Sequence, residues 1–327
     1  MEAIQSMSQA NLLSALVRTM CLEADGVISL ELCPAPGSAP FPAFEPGSHI
    51  DLHLPNGLVR SYSLLNDARD RQRYVVAVLN DRNSRGGSRY VHEQLRVGAV
   101  LAISVPRNNF ALQPSSEKQV LVAGGIGVTP LLAMLRQLVA QDGQVDFIYC
   151  ARTRQQAAFL QEIEALAGER IRLVCHFDDE QGTPPALQHL LAGYAPQTHF
   201  YCCGPTPMLD AFEKVCEGLG YANAHIERFA AVAAVPAATA GYSVELRRSG
   251  RTVPVLPGQS VLDALLAAGL NPDHSCREGV CGACETRVLC GEVEHHDGIL
   301  TKAERAANKS MMICVSHAKG QTLALDL

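Results

Sequence analysis

Apolar and polar residues alternate along the first third of the chain, as they do in half-buried β-strands. Ile50, Leu52 and Leu54 are spaced by two and precede a Pro-Asn-Gly turn. Further short apolar runs lie at 58–64, 74–79 and 100–105. This pattern predicts an antiparallel β-barrel or sandwich, which we assign to a domain of residues 10–112, with one short helix near 88–95.

Beyond Pro114 the strand-like runs become continuous and alternate with helical periodicity. The predicted strands lie at 119–123, 145–150, 171–176 and 199–203, and the predicted helices at 131–139, 157–165, 187–191 and 208–219. Strands that alternate with helices are typical of a doubly wound α/β domain, here 113–229. Such a domain binds its ligand beyond the carboxyl ends of the strands.

The remaining chain begins with an alanine-rich stretch, 230–241, which lacks a periodic apolar face and is interpreted as a linker. A hairpin at 242–247 and 252–256, a helix at 260–268 and a closing strand at 323–327 follow it. These elements predict a third domain over 242–327, and the length of 327 residues is ample for three domains.

Charge and targeting signals exclude two classes of partner. The net charge of −6 includes no segment with the basic excess of a nucleic-acid binder. Glu2 stands where a signal peptide would be positive, and the apolar run 12–17 is too short to span a bilayer. Twelve cysteines without an export signal predict reduced or metal-bound thiols in a cytoplasmic protein with no membrane partner.

Four of these cysteines carry a metal signature. Cys276, Cys281 and Cys284 have C-x4-C-x2-C spacing, and Cys314 follows at a distance, which is the plant-type pattern for a [2Fe-2S] cluster. Gly279 allows the tight turn that wraps a small anionic cluster, as does the glycine after Cys281. A structural zinc site and ordinary buried thiols are the alternatives.

The loop 276–284 resembles the cluster loop of plant-type ferredoxin domains. The resemblance implies an α+β, β-grasp fold for 242–327 and a centre that carries one electron at a time. Such a centre needs an electron donor elsewhere in the chain.

The first candidate for a donor site is Arg60-Ser61-Tyr62-Ser63, at the end of a predicted strand. Taken alone, the tetrapeptide fits an exposed strand. It resembles the flavin motif of the ferredoxin-NADP reductase superfamily, which implies that Tyr62 packs on the isoalloxazine ring. The same resemblance implies that Ser63 hydrogen-bonds near the reactive ring edge and that Arg60 pairs with phosphate.

A second anion site is predicted at Arg85-Gly86-Gly87-Ser88, just before the short helix. Paired glycines let successive N–H groups converge on a phosphate, and Arg85 and the Ser88 hydroxyl can complete the cradle. A flexible loop that ends in a serine N-cap is the alternative. Similarity to the FMN-containing reductases favours FMN over FAD.

Two turns of the α/β domain are candidates for binding a nicotinamide coenzyme. The turn Gly124-Gly125-Ile126-Gly127, with Thr129 and Pro130, departs from the G-x-G-x-x-G fingerprint but resembles the NAD(P) pyrophosphate turn of the same superfamily.

The second turn, Cys203-Gly204-Pro205, closes the last predicted strand. It reads either as a strand stop beside an inert thiol or, by resemblance, as the site that holds nicotinamide against the flavin. In the latter case Cys203 orients the reactive carbon and is not a nucleophile.

Two further positions bear on the cofactors. Arg152 and Arg154 follow a strand end where the adenosine ribose is recognised, so they fit a 2′-phosphate or a solvated surface, and the resemblance favours NADH over NADPH. Phe229 is the candidate for covering the second flavin face, with a core phenylalanine as the alternative.

From about residue 20 to 327 the chain resembles the phthalate dioxygenase reductase and vanillate demethylase reductase family. The resemblance implies electron transfer from NADH through FMN and the cluster to a Rieske-type oxygenase. A reductase for a cytochrome P450 or a di-iron monooxygenase would share every motif, whereas a non-enzymatic iron-sulfur sensor would need neither Tyr62 nor Cys203.

Overall fold

The computed structural model describes residues 12–82, 84–115, 117–230 and 240–327. Internal contacts divide these residues into two compact units, Leu12–Arg228 and Phe229–Leu327. Most of the predicted linker, 231–239, lies outside the described residues. Each unit is described by itself.

The first half of the larger unit is an antiparallel sheet with one short helix. Its elements are β1 (Leu12–Ala24), β2 (Val27–Pro34), β3 (Ser48–His53), β4 (Val59–Ser63), β5 (Tyr74–Leu79), α1 (Gly87–Glu93), β6 (Val100–Ser104) and β7 (Arg107–Asn108). The strand order is β4-β3-β6-β1-β2-β5, with β7 on β3, and the terminal strands β4 and β5 pack together. The sheet therefore curves into a barrel, and its first strand, β1, lies ahead of the strands predicted from the sequence.

The second half of this unit is a parallel sheet with helices. Its elements are β8 (Gln119–Gly124), α2 (Val128–Ala140), β9 (Val145–Ala151), α3 (Leu160–Leu166), β10 (Ile171–Phe177), α4 (Asp178–Gln181), α5 (Leu187–Leu190), β11 (His199–Cys203), α6 (Thr206–Leu219) and β12 (Ala224–Glu227). The strand order is β10-β9-β8-β11-β12. Successive strands are added on one side of β8 up to β10 and on its other side from β11 onward, so the direction of addition changes between β8 and β11. This point is the topological switch, where doubly wound sheets bind ligands.

The two halves of the larger unit share one hydrophobic core. Leu65 and Phe110 of the barrel pack in the same cluster as Tyr201 of β11, and the rings of Phe110 and Tyr201 meet edge to face at 5.8 Å. Arg136 on α2 donates to the Leu65 carbonyl oxygen and, through Nε, to Glu162 at 2.9 Å. These contacts hold the end of β4 near the carboxyl edge of the parallel sheet.

The smaller unit contains a mixed sheet, a small second sheet and two helices. Its elements are β13 (Tyr242–Leu246), β14 (Arg251–Val255), α7 (Val261–Ala267), β15 (Glu285–Cys290), β16 (Val293–Glu294), α8 (Lys302–Ala307), β17 (Ser310–Met312), β18 (His317–Ala318) and β19 (Thr322–Leu325). The order of the main sheet is β14-β13-β19-β15-β17, in which β13 and β19 are parallel. Ser260 caps α7 by accepting from the Asp263 N–H, and the predicted cluster loop follows α7.

Within the described ranges, no helix combines the length and the apolar character that crossing a membrane requires.

Candidate redox site

The predicted phosphate residues of the barrel come together at the start of α1. A Cβ placed on Gly87 would lie 2.7 Å from Cγ of Arg60, so the arginine side chain passes directly over this residue. Gly86 has a φ of 100°, a left-handed conformation that glycine adopts without strain. The side chain of Arg60 therefore lies against the glycine pair Gly86 and Gly87, which was predicted from the sequence to form a separate anion site with Arg85 and Ser88.

The hydroxyl groups of Ser84 and Ser88 stabilise this loop through hydrogen bonds within the loop itself. Ser88 Oγ donates to Ser84 Oγ at 2.9 Å, and the Gly86 N–H donates to the same Ser84 oxygen at 3.1 Å. Arg85 is exposed. Ser88 therefore shapes the loop, and the N-cap geometry of the alternative interpretation is not formed, because Gly86 is the N-cap of α1.

The strand β4 presents Tyr62 and Ser63 next to a buried ion pair. Asp51 on β3 is fully buried and accepts from Arg107 Nη2 and from Ser61 Oγ, each at 2.6 Å. Tyr62 packs against the barrel core, and burial raises the pKa of its phenol to about 12. The tyrosine thus stays neutral, and the Asp51 network fixes the strand that carries it.

The glycine turn after β8 meets the turn after β11. A Cβ on Gly127 would lie 2.1 Å from the Cys203 carbonyl oxygen, and one on Gly124 would lie 2.8 Å from Cδ of Pro205. A Cβ on Gly204 would be 3.0 Å from Cα of Gly124. The two predicted nicotinamide motifs are therefore in backbone contact, and side chains larger than hydrogen do not fit between them.

The rest of the glycine turn leaves room for a ligand. The space beside Gly125 is open to at least 4 Å, and Thr129 Oγ1 donates to the Ile126 carbonyl oxygen at 3.0 Å. Pro130 is buried in the first turn of α2. This geometry fits a turn whose backbone is approached by a pyrophosphate.

Cys203 is fully buried at the end of β11, and burial raises the pKa of its thiol well above the usual value. A neutral, inaccessible thiol is a poor nucleophile. Covalent catalysis by this thiol is therefore without support.

Glu227 is a candidate that the sequence did not single out. It ends β12 and lies beside Cys203 in the strand register. Burial of its carboxyl raises the pKa to about 8, and the nearby Ser63 hydroxyl opposes this rise. Its position at a strand end, two residues before Phe229, is the signal that could have pointed to it.

The region between the barrel and the parallel sheet contains unsatisfied polar atoms. Ser63 Oγ and Glu227 Oε2 are both buried, and neither has a hydrogen-bond partner within the described chain. Buried polar atoms in native proteins are nearly always paired. Donors or acceptors on a ligand would satisfy both atoms, so these residues fit a flavin and a nicotinamide that meet here.

The two arginines beyond β9 differ in their surroundings. Arg154 pairs with Glu180 at 3.0 Å and lies over the ring of Phe177 at 4.4 Å from its centroid. Arg152 is exposed. Phe229 is also exposed, at 41%, so it is not a core residue.

The four predicted cluster cysteines lie close together in pairs in the smaller unit. Cys284 Sγ and Cys314 Sγ are 3.2 Å apart, and both residues are buried. Interaction with Cys281, followed by backbone N–H groups, lowers the pKa of the Cys276 thiol, and the Glu278 N–H donates to its sulfur at 3.3 Å. These N–H groups favour a thiolate, which is the form that binds metal.

Gly279 lets the cluster loop pack tightly on the neighbouring chain. Its φ is 70°, and a Cβ there would lie 2.6 Å from Cγ2 of Val315, next to Cys314. Among the described residues, no three His, Cys, Asp or Glu side chains are arranged to hold one metal ion. Two pairs of thiols fit two irons better than a single zinc, which needs four ligands around one point.

Comparisons with known proteins agree with these two domains. The family of 2Fe-2S iron-sulfur cluster binding domains matches residues 244–319, and the family of oxidoreductase NAD-binding domains matches residues 121–214. The predicted iron-sulfur and NAD-binding domains are therefore confirmed.

Relatives cover nearly the whole chain. It is 47% identical to the phenoxybenzoate dioxygenase subunit beta of Ectopseudomonas oleovorans over 95% of this chain and 96% of the relative. It is 40% identical to the vanillate O-demethylase oxidoreductase of a Pseudomonas strain over 97% of this chain and 100% of the relative. Both relatives therefore match this chain over nearly its whole length.

Solved structures give the same result. Phthalate dioxygenase reductase matches with a TM-score of 0.71 and 33% identity, over 98% of this chain and 99% of the solved chain. An intact type IV self-sufficient cytochrome P450 monooxygenase matches with a TM-score of 0.87 and 41% identity, over 97% of this chain but only 41% of the solved chain. The chain thus belongs to the phthalate dioxygenase reductase and vanillate O-demethylase oxidoreductase family and is an oxidoreductase with NAD-binding and [2Fe-2S] domains.

Proposed function

We propose that the chain is the reductase component of a two-component, Rieske-type oxygenase system and passes electrons from NADH through FMN and a [2Fe-2S] cluster to the oxygenase. The main support is that Ser63, at the end of β4, lies close to Glu227, which is paired with Cys203 at the end of the neighbouring strand β11. This proximity joins the predicted flavin motif to the predicted nicotinamide motif. The names of the relatives, which include oxygenase subunits, support the partner.

The residues of the chain have separate tasks in this proposal. When bound, NADH supplies a hydride, the flavin accepts two electrons and releases them singly, and the cluster carries one electron. Arg60 and the backbone at Gly86 and Gly87 bind the flavin phosphate, with Arg85 and Ser88 beside them. Tyr62 and Phe229 cover the ring faces, and Ser63 hydrogen-bonds at the ring edge.

The coenzyme and the cluster are held by the other motifs. Gly124, Gly125, Gly127, Thr129 and Pro130 form the pyrophosphate turn, with Arg152 near the ribose. Cys203, Gly204 and Pro205 orient the nicotinamide against the flavin, so that the hydride moves over a short, fixed distance. Cys276 and Cys281 hold one iron, and Cys284 and Cys314 hold the other.

NADH fits the ribose end of this site better than NADPH. Arg154 is already paired with Glu180, and Asp178 and Asp179 lie at the end of β10, the strand next to β9. A 2′-phosphate there would meet these carboxylates and would have Arg152 as its cation. Like charges at close range oppose binding, so NADPH is expected to be the poorer substrate.

The two compact units suggest how the domains are divided. A barrel domain of 10–112, a nucleotide domain of 113–229 and a ferredoxin domain of 242–327 are consistent with the core shared by the first two. None of the cysteines in the described residues forms a disulfide, and Cys21 and Cys290 are exposed thiols. Exposed thiols favour a reducing compartment, so we propose that the protein is cytoplasmic.

A cytochrome P450 is the alternative electron acceptor. The likeness to a self-sufficient P450 enzyme favours it, because a reductase-like segment of that chain matches this one. Purified Rieske oxygenase, P450 and di-iron components can be titrated into the reductase with NADH. Faster NADH oxidation coupled to product with the Rieske component alone would support the main proposal, and coupling to P450 alone would overturn it.

The electron path is tested by substituting a cluster ligand. Cys276→Ser should abolish the NADH-dependent reduction of cytochrome c and preserve the reduction of ferricyanide, which can take electrons from the flavin. The matched control is Cys290→Ser, at an exposed cysteine outside the site, which should leave both activities unchanged. Extracted flavin, iron and sulfide are measured alongside, and purified protein without yellow cofactor or sulfide would refute the function.

A further inference from the structure

A short segment beside the cluster loop carries a histidine and an aspartate. The Gly298 N–H donates to the Gly279 carbonyl oxygen at 2.9 Å, and a Cβ on Gly279 would lie 3.1 Å from Cα of Asp297. Gly279 stands between two predicted cluster ligands, Cys276 and Cys281. The segment that contains His295 and Asp297 is therefore attached directly to the loop that wraps the cluster.

Asp297 is a fully buried carboxylate, and only one of its two oxygens accepts hydrogen bonds from residues that the structure describes. Its Oδ1 accepts from the N–H groups of Leu300 at 2.7 Å and Ile299 at 3.0 Å. Its Oδ2 is buried and has no hydrogen-bond partner among the described residues. Arg305 donates to the backbone oxygen of Asp297 and lies 3.7 Å from Oδ1, so it does not reach Oδ2.

The imidazole of His295 lies beside the unused oxygen. Its Nδ1 lies 3.7 Å from Asp297 Oδ2, which is slightly too long for a hydrogen bond. Both ring nitrogens are buried and lack hydrogen-bond partners in the part of the chain that is described. Three unsatisfied polar atoms in one place are unusual and call for a physical explanation.

We propose that His295 and Asp297 form a proton-binding pair that takes up one proton when the cluster takes up one electron. The electron comes from NADH through the flavin, and the proton comes from solvent and binds a ring nitrogen of His295. When the cluster passes its electron to the acceptor, the proton returns to solvent. Charge and atoms balance in both steps, and the inference depends on the cluster site proposed above.

The coupling follows from electrostatics in a weakly polarisable interior. One electron adds one negative charge to the cluster, and a buried charge nearby interacts with it far more strongly than it would in water. Protonated His295 would offset this charge and would donate to the unused Asp297 oxygen. The empty hydrogen-bonding positions are thus those that protonation would fill.

Burial is the main reason that His295 is neutral while the cluster is oxidised. Burial lowers the pKa of His295, Arg305 and Lys319 lower it further, and Asp297 opposes them. The other imidazoles nearby have different neighbours: His296 faces Glu294 at 3.5 Å, and His317 Nδ1 lies 3.3 Å from the Tyr242 hydroxyl oxygen. His296 therefore serves as a matched control.

The measurable consequence is a pH-dependent reduction potential. Between the pKa values of His295 in the oxidised and reduced protein, the potential should fall as pH rises, by at most about 59 mV per tenfold change in proton concentration. Outside that window the potential should be constant. The flavin does not interfere if the reduced cluster is followed by its own electron paramagnetic resonance signal.

The experiment titrates the full, cluster-loaded protein at a series of pH values from about 5.5 to 9, across the range of histidine titration. We expect a sloping potential in the wild type and in His296→Gln, and a flat potential in His295→Gln. Asp297→Asn is a second variant, which should narrow the sloping window by weakening proton binding. A flat potential in the wild type, or an unchanged slope in His295→Gln, would overturn the inference.

The cluster content separates this inference from the proposed function. Iron, sulfide and the resonance signal are measured in each sample before titration. Wild-type protein without a cluster would refute the proposed function itself, whereas a cluster-loaded wild type with a flat potential refutes only the proton coupling. If His295→Gln loses its cluster, the wild type and Asp297→Asn still decide the question.

Discussion

At the scale of single residues, a buried carboxyl at the end of β12 dominates the electrostatics of the proposed hydride-transfer site. Burial raises the pKa of Glu227 to about 8, so the group is mostly protonated at neutral pH and can donate a hydrogen bond. Above that pH it carries a negative charge beside Cys203 and Ser63. A negative charge there opposes the arrival of a hydride, which carries a negative charge of its own.

We therefore predict that the rate of NADH-dependent ferricyanide reduction falls as pH rises through about 8 in the wild type. Glu227→Gln keeps a neutral donor at every pH, so its rate should lack this decline and should differ from the wild type by several-fold at the alkaline end. Steady-state rates at saturating NADH measure the effect. A parallel decline in both proteins would assign the titration to another group.

The raised pKa of Glu227 also makes the stability of the fold depend on pH in the direction opposite to that found for most carboxyl groups. Because the folded-state pKa lies above the ordinary value of 4.5, the folded protein binds the proton more tightly. Stability that depends on this proton is present at low pH and is lost as pH rises from about 4.5 to 8, by at most about 1.4 kcal/mol per pH unit.

Thermal unfolding tests this linkage without reference to catalysis. Between pH 6 and pH 9 the melting temperature of the wild type should fall more than that of Glu227→Gln, because the pKa of Glu227 is raised in the folded protein. Glu217→Gln, on the exposed face of α6, is a suitable control for removing a carboxylate. Equal shifts for the wild type and Glu227→Gln would show that the carboxyl is ionised in the folded protein.

Local motifs could be predicted from the sequence, but residues defined by tertiary burial could not. The cysteine loop is recognisable from the spacing of its thiols, and Arg60 and Tyr62 are recognisable from their resemblance to a known flavin motif, because each signature lies within a short stretch of the chain. Glu227, and likewise His295 with Asp297, become notable only when folding removes them from water and leaves an atom unpaired. Without the structure, a charged residue is expected to lie at the protein surface.

At the scale of elements, glycines set how closely two turns approach. The contact between Gly127 and the Cys203 carbonyl joins the loop after β8 to the loop after β11, across the switch point of the sheet. A methyl group there would overlap the backbone, which cannot move aside as a side chain can. The predicted coenzyme site therefore depends on a contact between two elements.

Gly127→Ala should accordingly raise the KM for NADH by at least tenfold or prevent folding of the nucleotide domain, because the added Cβ would lie 2.1 Å from a backbone oxygen. Gly218→Ala in α6 is the matched control, since nothing lies within 4 Å of its Cβ and alanine favours helix. Its KM should be unchanged. A normal KM for Gly127→Ala would mean that the two turns are not held together.

Gly87→Ala tests the phosphate cradle in a similar way. The new Cβ would displace the Arg60 side chain, which is flexible enough to move, so folding should survive while flavin retention falls several-fold. Flavin content after gel filtration measures the loss, with Gly168→Ala, where a Cβ meets open space, as the control. Full flavin occupancy in Gly87→Ala would remove Arg60 from the proposed site.

The elements themselves were predicted unevenly, for physical reasons. The central strand β11 was predicted with its observed bounds because both faces of a parallel strand are buried and its apolar run is continuous. The edge strand β12 was missed because its residues are all half exposed, and β15 was missed because only two of its six residues are buried. β1 was not predicted, because exposed and half-exposed residues interrupt the alternation of buried positions along it.

At the scale of the whole molecule, the division of the chain matches the division of the electron chemistry. The larger unit holds the residues proposed for NADH and, apart from Phe229, those proposed for the flavin, and the smaller unit holds the four cysteines of the one-electron site. Covalent attachment makes electron transfer between them intramolecular, with an effective concentration in the millimolar range for a short connection. Cutting the connection should turn the transfer into an encounter between separate molecules.

We predict the result of inserting a protease site within 231–239 and cleaving the purified, cofactor-loaded protein. Ferricyanide reduction should be unchanged, because it needs only the larger unit. The rate of cytochrome c reduction per protein molecule should fall when the cleaved protein is diluted. The rate should stay constant in the uncut protein with the same insertion, because the connection there keeps each unit at a fixed effective concentration around the other. If cleaved and uncut proteins behave alike at every dilution while Cys276→Ser is inactive, the units bind each other tightly without the connection, and tethering does not determine the rate of transfer to the cluster.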